Sequence, residues 1–455
     1  MPEVRSAAEA DIVILGAGPA ALMLALALRR LGLQPLVIGR PRLQPAVEGL
    51  SHRAAQGLRQ LGCDTALALA GAPWRRLSSW AGAQVEMNGE FIVERQAFDA
   101  ALARDARQAG VALQDGRVRQ AEHRGPGDWR IHWENAPGVP RMTTARFVVE
   151  SRGRSAPKWA PDRYAGAPAL ALTRAFRTQR RGRRSTFTES FADGWAWGTL
   201  DADGAATVQL VMQPQRLKAQ GGDADAAHAA ALARLSATHA LLGPLQPAGD
   251  IGVRGIQTVW RGACGLEDGL RVGDAAYTCD PLSGHGLFEA LSGALATAPT
   301  IRTLLQRPAL ATLARGYHED RIRQIFLERL RTAAGHYAAE TRWAGEPFWR
   351  GVHALGHIPL LSPAPQPPAG AAFVSQPVVE DGFIVERRVV RTPEHPRGVR
   401  FLGGIELPRL HEALQAGPAE PDLPQLARQL GGAPDAVRQA LHWLRAHRLD
   451  RTAAA

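Results

Sequence analysis

Apolar residues near the N-terminus form strand-length and helix-length runs in regular succession. Residues 11–15 form an apolar strand pattern, residues 16–21 a tight turn, residues 22–31 a helical pattern and residues 34–38 a second strand. Strand, turn, helix and strand in this order predict a βαβ unit of a parallel, Rossmann-like sheet. Further segments continue the pattern, with helical residues from Ala54 after a Ser51 N-cap, a helix at 98–108, a β-meander at 112–120 and 129–133, and a strand at 145–150.

The middle of the chain changes to short strands with alternating apolar positions. The strand-like segments are residues 169–176, 187–191, 195–200 and 206–212, followed by a helix at 226–238 and a strand at 253–259. Residues 74–95 alternate in the same way, with a turn expected at Asn88-Gly89 between the strand pieces 83–87 and 91–93. Antiparallel strands inserted between βα units predict a sheet domain laid over the nucleotide-binding fold.

The C-terminal part follows a proline-rich segment at residues 359–368. Strands predicted at residues 383–390 and 399–402 surround a turn at Glu394-His395-Pro396, and helices are predicted at 407–414, 423–430 and 435–447. A strand pair followed by three helices indicates a small winged-helix-like domain. It could bind DNA, serve as a dimerisation or lid domain, or hold a peptide by strand addition as the recognition modules of peptide-modifying systems do.

Composition narrows the class of protein. The 455 residues are 45% hydrophobic and 21% charged, which is typical of a globular chain. The net charge of +11 comes from scattered arginines, without a dense basic run that interleaves with aromatic residues, so nucleic-acid binding is not favoured. The three cysteines show no metal-ligand spacing, and no metal site is expected. No signal peptide and no apolar run of membrane-spanning length are evident, so we expect a cytoplasmic protein with no membrane partner.

Three glycine-rich turns carry the candidate chemistry. In the first, Gly16 permits a tight turn, Gly18 lets the backbone approach a pyrophosphate, and Ala21 allows close packing of the helix on the strand. The acid that normally binds the adenosine ribose is absent, because the second strand ends in Gly39-Arg40. A βαβ unit without a nucleotide therefore remains an alternative.

The other two turns also follow strands. Gly153-Arg154-Ser155 comes shortly after the strand at 145–150, and Gly273-Asp274 leads into the turn at residues 281–286 and a new helix. Asp274 could accept hydrogen bonds from the hydroxyls of a sugar or polyol, and the helix N-terminus favours negative charge. Read alone, this stretch is either a phosphate loop or a structural turn.

The three motifs in this order resemble the FAD-dependent hydroxylase superfamily, which includes group A flavoprotein monooxygenases and tryptophan halogenases. The resemblance covers about residues 10–350 and implies FAD, with NADH or NADPH as reductant and O2 as second substrate. It places the pyrophosphate at the first turn, the ribityl chain at Asp274 and the isoalloxazine near residues 281–286. The cofactor-binding residues it implies are Gly16, Gly18, Ala21, Arg40, Arg53, Arg95, Gly273, Asp274, Pro281, Gly284, His285 and Gly286.

The halogenase-like branch of the superfamily is the most similar. Residues 194–200 (GWAWGTL) resemble its paired-tryptophan strand, and Gly335-His336-Tyr337 with Pro347-Phe348-Trp349 resembles its later helix. Halogenases, however, carry a glutamate where this chain has Ser283, and a catalytic lysine early in the chain, whereas no lysine precedes Lys158. This departure argues against halogen transfer and leaves oxygen transfer to an electron-rich ring, or hydride transfer to a double bond.

Candidate residues for the substrate pocket are Trp195, Trp197, Glu189 and Ser283. The two indoles alternate along one strand and therefore share a face, although they could equally be core aromatics. His285 is the candidate catalytic residue, and neither it nor Glu189 can be assigned firmly as a general base, because both could be structural.

The resemblance also implies a fold and a substrate. We expect an α/β protein with a discontinuous Rossmann-like FAD-binding domain, an inserted antiparallel substrate sheet and a small C-terminal α+β, winged-helix-like domain. The expected bounds are 1–72, 96–165 and 255–335 for the FAD domain, 73–95 and 166–254 for the sheet, 336–368 for a helical segment and linker, and 369–455 for the last domain.

A halogenase-like scaffold without halogenase catalysts, joined to an added C-terminal domain, suggests a polypeptide substrate. The chain looks most like the flavoprotein monooxygenases that mature quinohemoprotein amine dehydrogenase. The expected reaction is hydroxylation of a tryptophan in the small-subunit precursor on the way to tryptophylquinone, with a companion maturation enzyme holding the precursor. A small-molecule aromatic hydroxylase, an alkene reductase and an FAD-binding DNA regulator are the alternatives.

Overall fold

The computed structural model describes residues 8–40, 42, 44–361, 370–418 and 420–450. Most of the proline-rich segment predicted at 359–368 lies outside the described residues. None of the described helices combines the length and the apolar character that a membrane crossing requires.

The strands are numbered in chain order. The strands are β1 Ala8–Leu15, β2 Pro35–Gly39, β3 Val47–Leu50, β4 Trp74–Trp80, β5 Ala83–Glu94, β6 Ala112–Gly125, β7 Asp128–Asn135, β8 Pro140–Glu150, β9 Tyr164–Ala165, β10 Leu170–Thr178, β11 Ser185–Phe191, β12 Gly194–Leu200, β13 Ala205–Met212, β14 Leu245–Pro247, β15 Gly252–Gly255, β16 Val259–Trp260, β17 Cys264–Leu266, β18 Gly269–Arg271, β19 Tyr277–Thr278, β20 Ala372–Glu380, β21 Phe383–Arg391, β22 Phe401–Leu402 and β23 Ile405–Glu406.

The helices are numbered in the same way. They are α1 Pro19–Arg30, α2 His52–Gln60, α3 Asp64–Ala68, α4 Arg95–Gln108, α5 Pro214–Ala219, α6 Ala224–Leu232, α7 Ser236–Leu242, α8 Gly286–Gln306, α9 Ala311–Ala339, α10 Pro347–His353, α11 Leu407–Ala416, α12 Leu423–Leu430 and α13 Pro434–Ala446, together with short 3-10 helices at Gly153–Ser155, Gly273–Ala275, Pro281–Ser283, Pro308–Leu310, Ala354–His357 and Pro359–Leu361.

The chain divides into two compact units. The first consists of Met1–Arg302 and His318–Ser362, and the second of Thr303–Tyr317 and Pro363–Ala455. The first unit contains both large sheets, and the second contains the hairpin β20–β21 and the last three helices.

A seven-stranded sheet forms one half of the first unit. Its parallel strands run in the order β6, β2, β1, β8 and β18, and β7 pairs antiparallel with both β6 and β8. The residues of β1 from Ile12 to Leu15 are completely buried, and α1 is buried over residues 19–28. Burial of both faces is typical of a parallel sheet covered by helices, as the apolar pattern predicts.

A nine-stranded, largely antiparallel sheet forms the other half. Its strands follow the order β14, β10, β13, β12, β11, β4, β5 and β3, and β15 also pairs with β10. Alternate residues of the central strands face α6 and α7, while the others, including Trp195 and Val211, pack toward α9 and α10. The two faces therefore have separate hydrophobic cores.

Two local predictions, one in this sheet and one in the helices packed on it, are wrong. Asn88-Gly89 does not form a hairpin turn, since the chain reverses at Ala81-Gly82, where φ is 53° and 80°. Instead the register between β4 and β5 shifts at Asn88-Gly89, because Trp74 pairs with Glu90 and Arg76 with Met87. An Asn-Gly pair suits a β-bulge as well as a turn, so the local signal could not separate them.

The helix predicted at residues 226–238 is also interrupted, and it becomes α6 and α7. The buried Glu189 side chain explains the second start, because it accepts hydrogen bonds from the amides of Ala237 at 2.9 Å and Thr238 at 2.7 Å and from the Thr238 hydroxyl at 2.7 Å. A carboxylate at a helix N-terminus satisfies amides that have no partner within the helix.

The second unit is built on a hairpin that the sequence predicted only in part. β21 and the three helices lie where they were predicted, but β20 was missed, and β21 pairs with β20 over nine residue pairs. The predicted pairing with residues 399–402 is limited to one bridge between Val390 and Val399. The half-buried side chains of β20 hide the alternation that identifies a strand.

We predict that Glu189→Ala lowers the free energy of unfolding by about 2 kcal/mol, because it leaves the buried Thr238 amide and the part-buried Ala237 amide without acceptors. Chemical denaturation of the purified protein measures this. Ser236→Ala is the matched control, since its hydroxyl lies 3.5 Å from Glu189 and contributes little. Unchanged stability of Glu189→Ala would refute the capping role.

Candidate functional site

The three glycine-rich turns meet at the carboxyl ends of β1, β8 and β18. The amide of Gly16 donates to Ile38 at 2.8 Å, the amide of Ser151 to Leu15 at 2.9 Å, and the amide of Val272 to Glu150 at 3.1 Å. Ligands of open α/β sheets bind at this edge. The structure thus brings together turns that are up to about 250 residues apart in the sequence, counted from Gly16 to Gly273.

Close backbone contact explains two of the glycines. Gly16 has φ of 111°, and a Cβ there would lie 2.8 Å from the Ser151 carbonyl oxygen. Gly273 has φ of 57°, and a Cβ there would lie 2.9 Å from the Ala20 Cβ. Both positions are in the left-handed region and have no room for a side chain. The turns can therefore pack together in this way only with glycine at these two positions.

The N-terminus of α1 is suited to an anion. Gly18 is its N-cap and provides no side-chain cap, and a Cβ built on Gly18 would have no atom within 4 Å. Ala21 is completely buried against the sheet. The helix N-terminus is therefore open at Gly18 and has no side-chain cap, and such a terminus is suited to hold a pyrophosphate.

Asp274 joins the second and third turns. Its carboxylate lies 3.5 Å from Arg154 Nε, and its side chain is 47% exposed. Burial of the surrounding turn raises the pKa of Asp274, and the nearby Arg154 guanidinium partly offsets this. Because half of the side chain remains accessible, its oxygens can accept hydrogen bonds from ribityl hydroxyls.

Three predicted arginines lie in different surroundings. Arg95 opens α4 as predicted and is buried, with Nη1 2.6 Å from Glu48 and Nε 3.0 Å from Asp99. Burial lowers the pKa of Arg95, but Glu48 and Asp99 outweigh this and raise it above its ordinary value. Arg53 is exposed on α2, and Arg40 is exposed at the end of β2, where it donates to the Asn135 carbonyl at 3.3 Å.

The turn at residues 281–286 places small residues at the start of α8. Gly284 is in the left-handed region, with φ of 65°, and a Cβ on Gly286 would have no atom within 4 Å. Among the described residues, the Ser283 hydroxyl is buried without a hydrogen-bond partner. His285 contacts the Ser283 carbonyl through Nδ1, and burial lowers its pKa. Open glycines and a buried free hydroxyl fit a polar, planar group bound against this turn.

Asp280 is the titratable group that the sequence analysis missed. Its carboxylate caps the turn by accepting from the Leu282 amide at 2.9 Å, and the Tyr337 hydroxyl donates to both its oxygens at 3.1 Å. The Trp195 indole N–H donates to the same hydroxyl at 3.1 Å. Burial raises the pKa of Asp280 to about 6, against the partial opposition of the Leu282 and Tyr337 hydrogen bonds.

Neighbouring titratable groups stay neutral near pH 7. Burial raises the pKa of Tyr337 and of Cys279 well above their ordinary values, and burial followed by the charge of Asp280 raises the pKa of Tyr164. Asp280 is therefore the member of this group whose pKa, at about 6, lies closest to neutrality.

Glu340 fixes the helix that carries Tyr337. Its completely buried carboxylate accepts from the Ser190 hydroxyl at 2.7 Å, the Ala81 amide at 2.8 Å and Arg342 Nη2 at 2.6 Å. Burial would raise the pKa of Glu340, but these hydrogen bonds, led by Arg342, lower it to about 2. The ionised carboxylate holds the end of α9 against β4 and β11.

Strand register defines a polar floor beside the turn. The floor residues share one face of the nine-stranded sheet, because Trp197 pairs with Thr188, Thr188 with Ser78, and Thr186 with Arg76. The floor is adjacent to the turn at residues 281–286, since a Cβ on Gly284 would lie 3.8 Å from Arg76 Nη2. Arg76 was missed because only the register of β4 shows which way it faces.

The substrate-pocket candidates are not all on this face. Trp195 is buried, Trp197 is half-buried, and both lie on the face of the floor. Glu189 pairs with Ala196, whose side chain belongs to the opposite core, and its carboxylate is occupied by α7. The described residues contain no cluster of His, Cys, Asp and Glu that could hold a metal ion.

No family model matches the chain, and no curated protein matches it. Solved structures do match. The flavin-dependent halogenase CmlS is 16% identical with a TM-score of 0.71, over 98% of this chain and 93% of that one. The myxobacterial chondrochloren halogenase CndH is 22% identical with a TM-score of 0.68, over 76% of this chain and 86% of that one. The chain thus has the fold of the flavin-dependent halogenases and monooxygenases.

A third structure is similar at the level of sequence. It is the peptidyl tryptophan dihydroxylase QhpG, described as essential for tryptophylquinone cofactor biogenesis. The two proteins are 37% identical over 96% of this chain and 99% of that one, with a TM-score of 0.78. The chain belongs to the family of this flavoprotein monooxygenase. The predicted superfamily and fold class are confirmed.

We predict that Asp280→Asn changes stability in a pH-dependent way. Because the folded protein raises the pKa of Asp280 from 3.8 to about 6, folding favours the protonated form. The parent protein loses this stability as pH rises from about 4 to 6, whereas the amide of the variant does not titrate. Denaturation at several pH values measures this. As pH rises across that range, the free energy of unfolding of the variant should increase by about 2 kcal/mol relative to that of the parent.

The control is Asp128→Asn, an exposed carboxylate at the start of β7. A constant stability difference between Asp280→Asn and the parent across this pH range would contradict the raised pKa.

Proposed function

We propose that this protein is an FAD-dependent monooxygenase that hydroxylates a tryptophan side chain of a polypeptide during tryptophylquinone biogenesis. The observation that carries the proposal is the 37% identity to a peptidyl tryptophan dihydroxylase over nearly the full length of both chains. The absence of any lysine before Lys158 supports oxygen transfer over halogen transfer. NADH or NADPH and O2 complete the reaction, and the precursor of the quinohemoprotein amine dehydrogenase small subunit, presented by a companion maturation enzyme, is the proposed substrate.

FAD fits the residues of the site. The uncapped amides after Gly18 would hold the pyrophosphate, and Asp274 would accept the ribityl hydroxyls. The isoalloxazine would lie against the turn that contains Ser283 and Gly286. When bound and reduced, the flavin supplies, with O2, the oxygen atom that is transferred.

The protein itself positions the ring and handles protons. The floor with Trp197, Thr188 and Ser78 would orient the substrate indole, with the Arg76 guanidinium at its side. An aromatic carbon that has gained a hydroxyl must lose its proton to restore the ring. We assign Asp280 as the acceptor of this proton, because its carboxylate lies next to the turn and has a pKa near neutrality. His285, which burial keeps neutral, would serve as a polar contact of the flavin.

The direct test uses mass spectrometry of the dehydrogenase small subunit. We expect the purified enzyme with FAD, NADH and O2 to add oxygen atoms to the precursor tryptophan. We also expect a strain that lacks the gene to accumulate the subunit with an unmodified tryptophan. A fully oxygenated tryptophan in that strain would exclude the proposed function.

We predict that Asp274→Ala weakens FAD binding about 10- to 100-fold, since it removes an anionic acceptor for the ribityl hydroxyls. Quenching of flavin fluorescence during titration measures the dissociation constant. Asp128→Ala, with its exposed side chain on β7, should bind FAD like the parent. Equal affinity of Asp274→Ala and the parent would remove Asp274 from the cofactor site.

We predict that turnover rises with pH through an apparent pKa of about 6, as Asp280 becomes ionised. Tyr337→Phe removes a hydrogen bond that lowers this pKa, so the rising limb should move to higher pH and turnover at pH 6 should fall roughly two- to tenfold. Steady-state rates across pH check this. A limb that stays in place in Tyr337→Phe would exclude Asp280 as the titrating group.

A further inference from the structure

The strand β5 has one edge without a partner strand. Its residues from Ala83 to Glu90 pair only with β4, and β3 pairs with the later residues from Phe91 to Glu94. Within the described part of the chain, no other strand or backbone hydrogen bond engages residues 83–90. The backbone donors and acceptors on the outer side of this segment are therefore available to another extended chain.

Between Ala83 and Met87 this edge lacks the proline and lysine residues that often protect an edge strand. Residues 83–90 contain neither proline nor lysine, and Ala83 to Asn88 are all exposed. Val85 is 51% and Met87 44% exposed, and the two alternate along the strand on one face. The acidic Glu86 points to the other face, where it pairs with Arg75 at 2.7 Å. The Val85 and Met87 side chains thus give this face of β5 two exposed apolar residues.

Val85 and Met87 lie on the same face as the polar floor. Val85 pairs with Ser78 and Met87 with Arg76, and these two residues continue to Thr188 and Thr186 on β11. A strand added beside β5 would lie roughly 10 Å from β4, which is two strand spacings. A side chain on the floor face of that strand would lie beside Met87, whose cross-strand neighbour Arg76 lies 3.8 Å from a Cβ built on Gly284.

We propose that residues 83–90 of β5 dock an extended segment of the polypeptide substrate by strand addition. The docked segment then runs beside the floor, and two of its side chains, two residues apart and directly opposite Val85 and Met87, pack against these residues. Main-chain hydrogen bonds bind a polypeptide without requiring a deep pocket. Only side chains of the docked segment face the floor. This inference rests on the proposed function, which supplies a polypeptide as the substrate.

The test is amide hydrogen exchange of the FAD-loaded enzyme with and without the small-subunit precursor. Between residues 84 and 88, the amides that point toward β4 are protected in the free enzyme. We expect the alternate amides, which point outward, to become at least about tenfold more protected when the precursor binds. Binding of the precursor without protection of these amides would overturn strand addition and leave the proposed function intact.

Two variants separate this edge from the rest of the protein. The double variant Val85→Asp/Met87→Asp should bind the precursor about tenfold or more weakly, while its flavin spectrum and FAD affinity stay unchanged. Gln84→Asp is the control for added negative charge, because it introduces one of the two charges at an exposed position on the other face of β5. Equal weakening by Gln84→Asp would indicate a general charge effect and overturn the role of the Val85 and Met87 face.

Two further results are informative. If the parent is a dimer and the double variant a monomer that still binds the precursor normally, the edge is an interface between two copies of this chain, and the proposal is wrong. If the parent neither binds nor oxygenates the precursor, the proposed function fails, and strand addition of this substrate fails with it.

Discussion

The contact between the backbones of Gly16 and Ser151 is the constraint on which the site depends. It requires β1 and β8 to end at the same level, and the amide of Ser151 is held by the carbonyl of Leu15 at 2.9 Å. Gly273 extends the same packing to Ala20 at the start of α1. Asp274 and the N-terminus of α1 consequently face one space. A single added methyl group at either glycine would separate the elements that have to hold one ligand.

A second constraint joins the turn before α8 to the nine-stranded sheet. Asp280 belongs to the turn before α8, Tyr337 belongs to α9, and Trp195 belongs to the nine-stranded sheet, and hydrogen bonds connect the three. The buried Glu340 keeps the end of α9 in register with β4 and β11. The protonation of Asp280 is therefore controlled by residues of three elements, each of which is fixed by other contacts.

Sequence patterns were sufficient to predict the βαβ unit, the meander, the central antiparallel strands and the last three helices. Each of these elements is recognised from short-range periodicity. The glycine turns could also be found, since Gly16 and Gly273 are required by backbone geometry. The pKa of Asp280 could not be predicted, because it arises from burial and from Tyr337, which is 57 residues away. Arg76 was missed because only strand pairing brings it to Gly284, and Asn88-Gly89 was misassigned because a bulge and a turn use the same residues.

Side chains along β11 and β12 alternate between two faces of the sheet. This alternation affects which substitutions the protein can tolerate. Glu189 and Ala196 belong to the core beneath α6 and α7, whereas the adjacent Ser190 and Trp195 face α9 and the site. Neighbouring positions of one strand thus belong to two separate hydrophobic cores, and only the α9 side also borders the proposed site. Substitutions confined to the α6 and α7 face can accumulate and alter thermal tolerance, while the opposite face keeps the same reaction.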